Sequence, residues 1–339
     1  MTVARTGVRD DALNESSPVF VVGCDRSGTT LLRLMLIHGP DLHIPQETNF
    51  LATLNARAAD YGDFTEARQR WFFIRDLQAN QATRATTTFP VFGLTETEAE
   101  EVLREAAPTT FAGASEALYR ASARKVGKAR WGDKTPRYVT AIPWLAEAFP
   151  TARFVHIIRD GRDVTLSLLA NRWVLSVRDG AKFWKERVEM GRAAGRSLPE
   201  SRYREIFYEQ LVREPQQSLE ELCQWLGMRF TTDMLRYYED AEKLLPPQHA
   251  HLFRMNSRPV DASRARRWQQ EMSLHDLADF DEVAGTLLME LGYERERFRM
   301  PAWRRSLRRL GSGAQRFKRR IGRGLDRVLG APVSSASSA

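Results

Sequence analysis

The 339 residues are 42% hydrophobic, 28% charged and 10% aromatic, enough apolar material for one large or two small cored domains, which excludes disorder as the default state. Mean hydropathy is −0.45, no apolar run reaches the length of a membrane span, and residues 1–17 lack the apolar core of a secretory signal, so a soluble, cytoplasmic protein is expected. Cys24 and Cys223 are the two cysteines, too few and too distant in sequence for a disulfide framework or a cysteine zinc site, and the scattered histidines form no metal-binding pair, so no metal is expected. The net charge of +8 is unevenly placed: residues 303–339 carry nine Arg, one Lys and one Asp. The rest of the chain is close to neutral, so specific nucleic-acid binding is not expected.

After a leader over 1–17, Pro18 to Val22 is a short apolar run rich in β-branched residues, the pattern of a strand buried on both faces. It runs into the glycine turn Gly23-Cys24-Asp25-Arg26-Ser27-Gly28. A helix from Thr29 to His38 follows, with Leu31, Leu32, Met35 and Leu36 at helical spacing, stopped by Gly39-Pro40. Leu42 to Pro45 is a second short apolar stretch ending at Gln46-Glu47-Thr48, and residues from about 50 to 130 read as mostly helical and polar, an insertion. Strand and helix alternate again from Arg130-Trp131-Gly132-Asp133-Lys134-Thr135-Pro136, where the proline suits the first turn of a helix over Tyr138 to Phe149. Phe154 to Ile158 is another buried strand, leading to Arg159-Asp160-Gly161-Arg162-Asp163 and a helix. A long helix, a short strand over Ile206 to Tyr208, an amphipathic helix over Gln217 to Leu226 and a last core helix over Val283 to Leu291 complete the domain. The alternation predicts an α/β fold: a central parallel sheet flanked by helices in three layers.

Two segments carry chemistry. Gly23 to Thr30 has the GxxxxG spacing of a phosphate-binding loop, but Thr29 stands where a nucleoside triphosphatase keeps lysine. Backbone amides, the helix N-terminus and the hydroxyls of Ser27, Thr29 and Thr30 can still cradle a phosphate, and Arg26 returns one cation to the loop. The alternative is a plain turn closing a βα unit. Arg159 lies at the carboxyl end of a buried strand, where α/β proteins bind ligands, with Ser167 two helical turns further on. The two can share one anion, or Arg159 can simply pair with Asp163.

PVFVVGCDRSGTTLLRLML resembles the 5′-phosphosulfate loop of the sulfotransferases that use 3′-phosphoadenosine-5′-phosphosulfate (PAPS), and FVHIIRDGRDVTLSL resembles their 3′-phosphate motif. The likeness spans about Pro18 to Tyr293 and is closest to the tyrosylprotein and bacterial members. It implies a P-loop-like fold with the helical insertion over the active site, a sulfotransferase domain over 18–300, and PAPS as co-substrate. By the same resemblance, Arg26, Ser27, Gly28, Thr29 and Thr30 hold the 5′-phosphosulfate, while Arg159 and Ser167 hold the 3′-phosphate. Tyr208 packs near the adenine, Ser257 contacts its side, and Arg267 lies near the 3′-phosphate. Glu47 falls at the position of an acidic general base, and Lys134 at that of a lysine near the bridging oxygen.

Sulfuryl transfer is an in-line displacement that gathers charge on the bridging oxygen, so positioning and cations dominate. Lys134 and Arg26 suit that role, and Glu47 can accept the proton of an acceptor hydroxyl. Otherwise Glu47 is a helix N-terminal carboxylate and Lys134 pairs with Asp133 or another acid. Two other readings are a P-loop kinase or nucleotidase with Asp160 as metal ligand, and a non-catalytic nucleotide-binding membrane adaptor. The acceptor can be a carbohydrate, a glycolipid or a peptide tyrosine. Residues 301–331 form a basic amphipathic helix whose 303–329 portion suits an anionic membrane surface, a partner groove or its own domain, and residues 332–339 read as disordered.

Overall fold

The computed structural model describes residues 17–82, 92–244, 257–262 and 265–294. The leader before residue 17, the basic segment 301–331 and the tail 332–339 lie outside the described residues.

Strand β1 (Val19–Gly23) is buried along its whole length and lies at the centre of a five-stranded sheet. β3 (Arg130–Lys134) and then β2 (Leu42–His43) flank it on one side, with β4 (Arg153–Ile158) and β5 (Tyr203–Phe207) on the other. Every pairing is parallel. Register places Val21 beside Lys134 and Gly23 beside Ile157, so the ends of β1, β3 and β4 open at one edge.

Because strand side chains alternate between faces, β1 serves two cores. Val19 and Val21 face a cluster with Leu32, Met35 and Leu36 of helix α1 (Thr29–Ile37). Phe20 and Val22 face the other cluster, shared with Trp131, Phe154 and the inserted region. That region contains α2 (Ala67–Ala82), α3 (Glu96–Ala106) and α4 (Phe111–Lys125). Trp71 and Phe72 stand exposed on its outer surface, and its inner side is a continuous aromatic core of Phe50, Tyr61, Phe64, Phe73, Phe92, Phe111 and Tyr119. Tyr119 stacks on Trp131 with ring centroids 4.6 Å apart, and Phe20 meets Trp131 edge-on at 6.0 Å. Offset and edge-to-face pairs of this kind add to the burial energy.

The helix expected over Tyr138 to Phe149 is divided. Pro136–Thr140 is a 3-10 turn and α5 is Ile142–Ala148. Pro143 explains the break: it lacks the N–H that a continuous helix would need and stands instead in the first turn of α5. α6 (Gly161–Ala170) follows β4, capped by the Asp160 side chain accepting from Arg162 N, and α7 (Val177–Arg196) packs against it. α8 (Pro215–Leu226) and α9 (Leu274–Glu290) close the described domain. Both cysteines are buried free thiols.

His156 of β4 is fully buried and bonded through Nδ1 to Tyr203 Oη at 2.6 Å. Burial, with Arg192's charge acting in the same sense, pushes its imidazole pKa down to about 3. The folded state therefore holds it neutral, while the unfolded chain protonates near its ordinary value of about 6.5. Stability from this group is complete above that value and is lost as pH falls toward 3. Urea titrations at pH 7 and pH 4.5 should show His156→Gln to be less destabilised by acid than the parent. An equal acid dependence in both proteins would exclude His156 as a source.

Candidate active site

The loop after β1 turns back on itself at Arg26 and Gly28, with φ of 70° and 99°, and a tight Ser27 N–H to Cys24 O bond of 3.1 Å closes it. A Cβ on Gly28 would stand 2.5 Å from Tyr208 Cδ2, so the Tyr208 ring lies directly on the loop. Arg159 covers the same ring, its guanidinium carbon 4.4 Å from the centroid, and donates to the Arg26 carbonyl at 3.3 Å. Arg26 Nε donates to Ser167 Oγ at 3.0 Å. Five of the expected residues, Arg26, Gly28, Arg159, Ser167 and Tyr208, thus form one contiguous patch.

The second half of the site lies at the ends of β3 and β2. Lys134 Nζ donates to Glu47 Oε1 in a very short contact and to Thr30 Oγ1 at 3.2 Å. The lysine side chain is almost wholly buried, while the glutamate keeps 30% of its side-chain surface exposed. Asn49, not Glu47, occupies the N-cap of the helical turn that follows, which has no acidic residue in its first turn, and of the acids open to it Lys134 pairs with Glu47 rather than Asp133. Burial lowers the Lys134 ammonium pKa, against which the Glu47 carboxylate holds the charged form.

Arg26 is likewise lowered, first by burial and then by the like charge of Arg159. Two neighbouring guanidinium groups are an arrangement that an anion between them relieves. Ser27 adds to this: its hydroxyl is fully buried with no partner among the described residues. An orphaned buried hydroxyl inside a phosphate-type loop, beside a cation pair, fits a phosphate ester or sulfate oxygen.

Several contacts at the site escaped the sequence reading. Asp25 faces Arg187 of α7 across 3.6 Å, and burial, followed by the Glu47 carboxylate, raises its carboxyl pKa. Trp184 Nε1 donates to the Arg159 carbonyl at 3.0 Å. Asp163 accepts from Arg159 Nη2 at 3.2 Å and from the backbone N–H groups of Arg266 and Trp268, each at 2.9 Å. Arg159 therefore both pairs with Asp163 and keeps a face toward the loop. The Arg267 guanidinium is engaged by Glu271 through two bonds of 2.7 Å. Ser257 has no hydrogen bond to the patch among the described residues, although its neighbour Arg258 accepts at its carbonyl from Tyr237 Oη at 2.8 Å. Asp25 lies within the loop motif and was legible as an acid among anion-binding groups, and the Arg159–Asp163 pair was one of the two readings of Arg159; the Trp184 contact and the bonds of Asp163 to the Arg266 and Trp268 amides arise only on folding.

Asp160, which a kinase would need as a metal ligand, is occupied. Its Oδ1 accepts from Arg162 N and Nε at 2.9 and 3.0 Å, and its Oδ2 from Arg162 Nη2 at 2.7 Å.

Residues 18–232 match the profile of the Sulfotransferase family, and the chain belongs to that family. Among curated relatives, protein-tyrosine sulfotransferase 2 of Gallus gallus is 25% identical over 286 residues, covering 81% of this chain and 69% of the relative. Protein-tyrosine sulfotransferase A of Caenorhabditis elegans is 25% identical over 306 residues, covering 85% and 71%. The sulfotransferase domain of the Synechococcus PCC 7002 olefin synthase has the same fold, with a TM-score of 0.57 at 20% identity over 84% of this chain and 97% of that one. The architecture is the P-loop-like three-layer fold, and the protein is an enzyme of sulfuryl transfer.

Gly28→Ala tests the loop geometry. A left-handed backbone position costs a non-glycine residue about 1–3 kcal/mol, and the new methyl meets the Tyr208 ring as well. Chemical denaturation should show a loss of that order, partly recovered in Gly28→Ala/Tyr208→Ala. No recovery would mean that the ring contact contributes nothing to the cost.

Proposed function

We propose that this chain transfers the sulfuryl group of PAPS to an acceptor hydroxyl, with Glu47 as general base and Lys134 and Arg26 as the cations at the reacting centre. The observation that carries this is the Lys134 ammonium bonded at once to Glu47 and to Thr30 of the phosphate loop. A proton acceptor and a cation are thereby set at the mouth of an anion cradle. Arg26, Ser27, Gly28, Thr29 and Thr30 would hold the 5′-phosphosulfate, Arg159 and Ser167 the 3′-phosphate, and Tyr208 the adenine side. Arg267 and Ser257 are the outer donor contacts in this reading, with Arg267 exchanging its bond to Glu271 for the 3′-phosphate.

PAPS supplies a sulfuryl group whose bond to the bridging oxygen breaks as the acceptor oxygen bonds to sulfur, the electron pair remaining on the departing phosphate oxygen. Glu47 takes the acceptor's proton, a step its partial exposure permits. Lys134 offsets the charge that develops on the leaving side, and burial strengthens that interaction relative to water. The acceptor named by the curated relatives, a protein tyrosine, is the first to assay; carbohydrate and glycolipid hydroxyls follow.

Adenosine 3′,5′-bisphosphate should raise the unfolding temperature, since a ligand at about 100 times its Kd adds about 2.7 kcal/mol. Arg159→Ala should abolish that response, whereas ATP with Mg²⁺ should produce little. Stabilisation by Mg-ATP alone would overturn the donor assignment. Glu47→Gln should bind the bisphosphate normally and lose roughly 10²–10⁴-fold in kcat, the usual scale of general-base catalysis; full turnover would remove Glu47 from the mechanism.

The excess of nine Arg and one Lys over one Asp in residues 303–339 supports attachment of residues 303–329 to an anionic membrane from the cytoplasmic side. Deletion of 303–339 should abolish binding to vesicles containing phosphatidylserine. Unchanged binding would refute it.

A further inference from the structure

Glu47 sits on a short turn with no regular structure of its own, between β2 and the helical turn Phe50–Leu54. Such a turn does not by itself hold a carboxylate to the fraction of an ångström that proton transfer needs. Two buried charged residues grip it from opposite ends. Arg33 projects from α1 with only 4% of its surface exposed, and its Nε donates to the carbonyls of Ile44 and Pro45 at 2.9 and 2.8 Å. Beyond Glu47, Thr48 Oγ1 donates to Asp133 Oδ2 at 2.8 Å, and Tyr119 Oη donates to the same oxygen at 2.6 Å. Asp133 and Thr48 are both completely buried.

The spacing of these contacts is informative. Asp133 and Lys134 are consecutive in β3, so their side chains leave opposite faces of the strand. Thr48 and Glu47 are consecutive in the turn. Asp133 holds Thr48 while Lys134 holds Glu47, so two adjacent residues of one strand bind two adjacent residues of the turn. Arg33 then ties the preceding carbonyls to α1, the helix that begins at the phosphate loop. Burying an arginine inside an apolar helix and an aspartate beneath a sheet is costly unless each is well bonded. Burial lowers the Arg33 guanidinium to about 10, and the Glu47 and Asp133 carboxylates oppose that fall.

We infer that Arg33 and the Asp133–Thr48 hydrogen bond are positioning elements of the reaction: they mount Glu47 on the phosphate-loop helix and on β3, so that base and donor cradle keep one fixed separation. Neither touches donor or acceptor in this reading, which rests on Glu47 being the base. Their effect is on the geometry of proton transfer rather than on donor binding.

The test compares two substitutions that each remove one hydroxyl from the Asp133 carboxylate. Thr48→Val releases the turn from Asp133; Tyr119→Phe also removes the Tyr119 hydroxyl from Thr48 Oγ1, 2.8 Å away, but keeps the Thr48–Asp133 bond that anchors the turn. Both are first checked for folding by near-ultraviolet circular dichroism and for adenosine 3′,5′-bisphosphate affinity by calorimetry. Thr48→Val should lower kcat on the order of tenfold to a hundredfold, the scale of a misplaced reacting group, with the bisphosphate Kd unchanged. Arg33→Lys, which keeps the charge but loses the planar guanidinium, should do the same. Tyr119→Phe should lower the unfolding temperature and leave kcat near the parent value. In a Glu47→Gln background, Thr48→Val should cause no further loss. Folded Thr48→Val and Arg33→Lys proteins with parental kcat would overturn the inference, as would a Thr48→Val loss that persists undiminished in the Glu47→Gln background. If Glu47→Gln alone retains full turnover, it is the base assignment that has failed, and that result is read before the others.

Discussion

The site depends on burying β1 on both faces at the centre of a parallel sheet. A parallel strand so enclosed must deliver its chain at one edge, and its neighbours β3 and β4 end at that same edge. Lys134 closes β3, Arg159 follows β4, and the loop from Gly23 to Gly28 leaves between them. Cations distant in sequence are thus concentrated around one set of backbone amides, without any long loop that would have to be ordered at an entropic cost.

Concentrating cations carries its own penalty, and the surrounding residues answer it in different ways. Lys134 is bonded to Glu47, and Arg159 is divided between Asp163, the Arg26 carbonyl and the Tyr208 ring. Asp163 also fixes the amides of Arg266 and Trp268, so the late segment of the chain is drawn to the same place. Arg26 and Arg159 still repel each other, although Asp25 and Glu47 act against this at Arg26, and the Ser27 hydroxyl has no bond among the described residues. Those are demands that an anionic donor meets, and they agree with membership of the sulfotransferase family.

The inserted helices build a core rather than only a surface cover. Tyr119 stacks on Trp131 and also reaches Asp133, so the same side chain joins the aromatic core to the polar network beneath Glu47. The aromatic core and the buried Asp133 carboxylate are consequently linked through one buried hydroxyl.

Local pattern determined a good deal. The apolar runs of β1 and β4, the glycine turn with Arg26 and Ser27, the helix that follows and the position of Arg159 are all written in short stretches, because strand burial and phosphate cradling are properties of neighbours in sequence. Family resemblance added Glu47, Lys134 and Tyr208. Arg33, an arginine within the apolar run of α1, was a visible irregularity whose purpose was not. Which acid Lys134 takes, whether Arg159 binds Asp163 or faces the loop, and what Thr48 and Asp25 touch were decided only by the fold. Arg159 and Asp163 are one helical turn apart, but the other pairings join residues tens to more than a hundred positions apart, and only the packing of strands and helices brings them within reach.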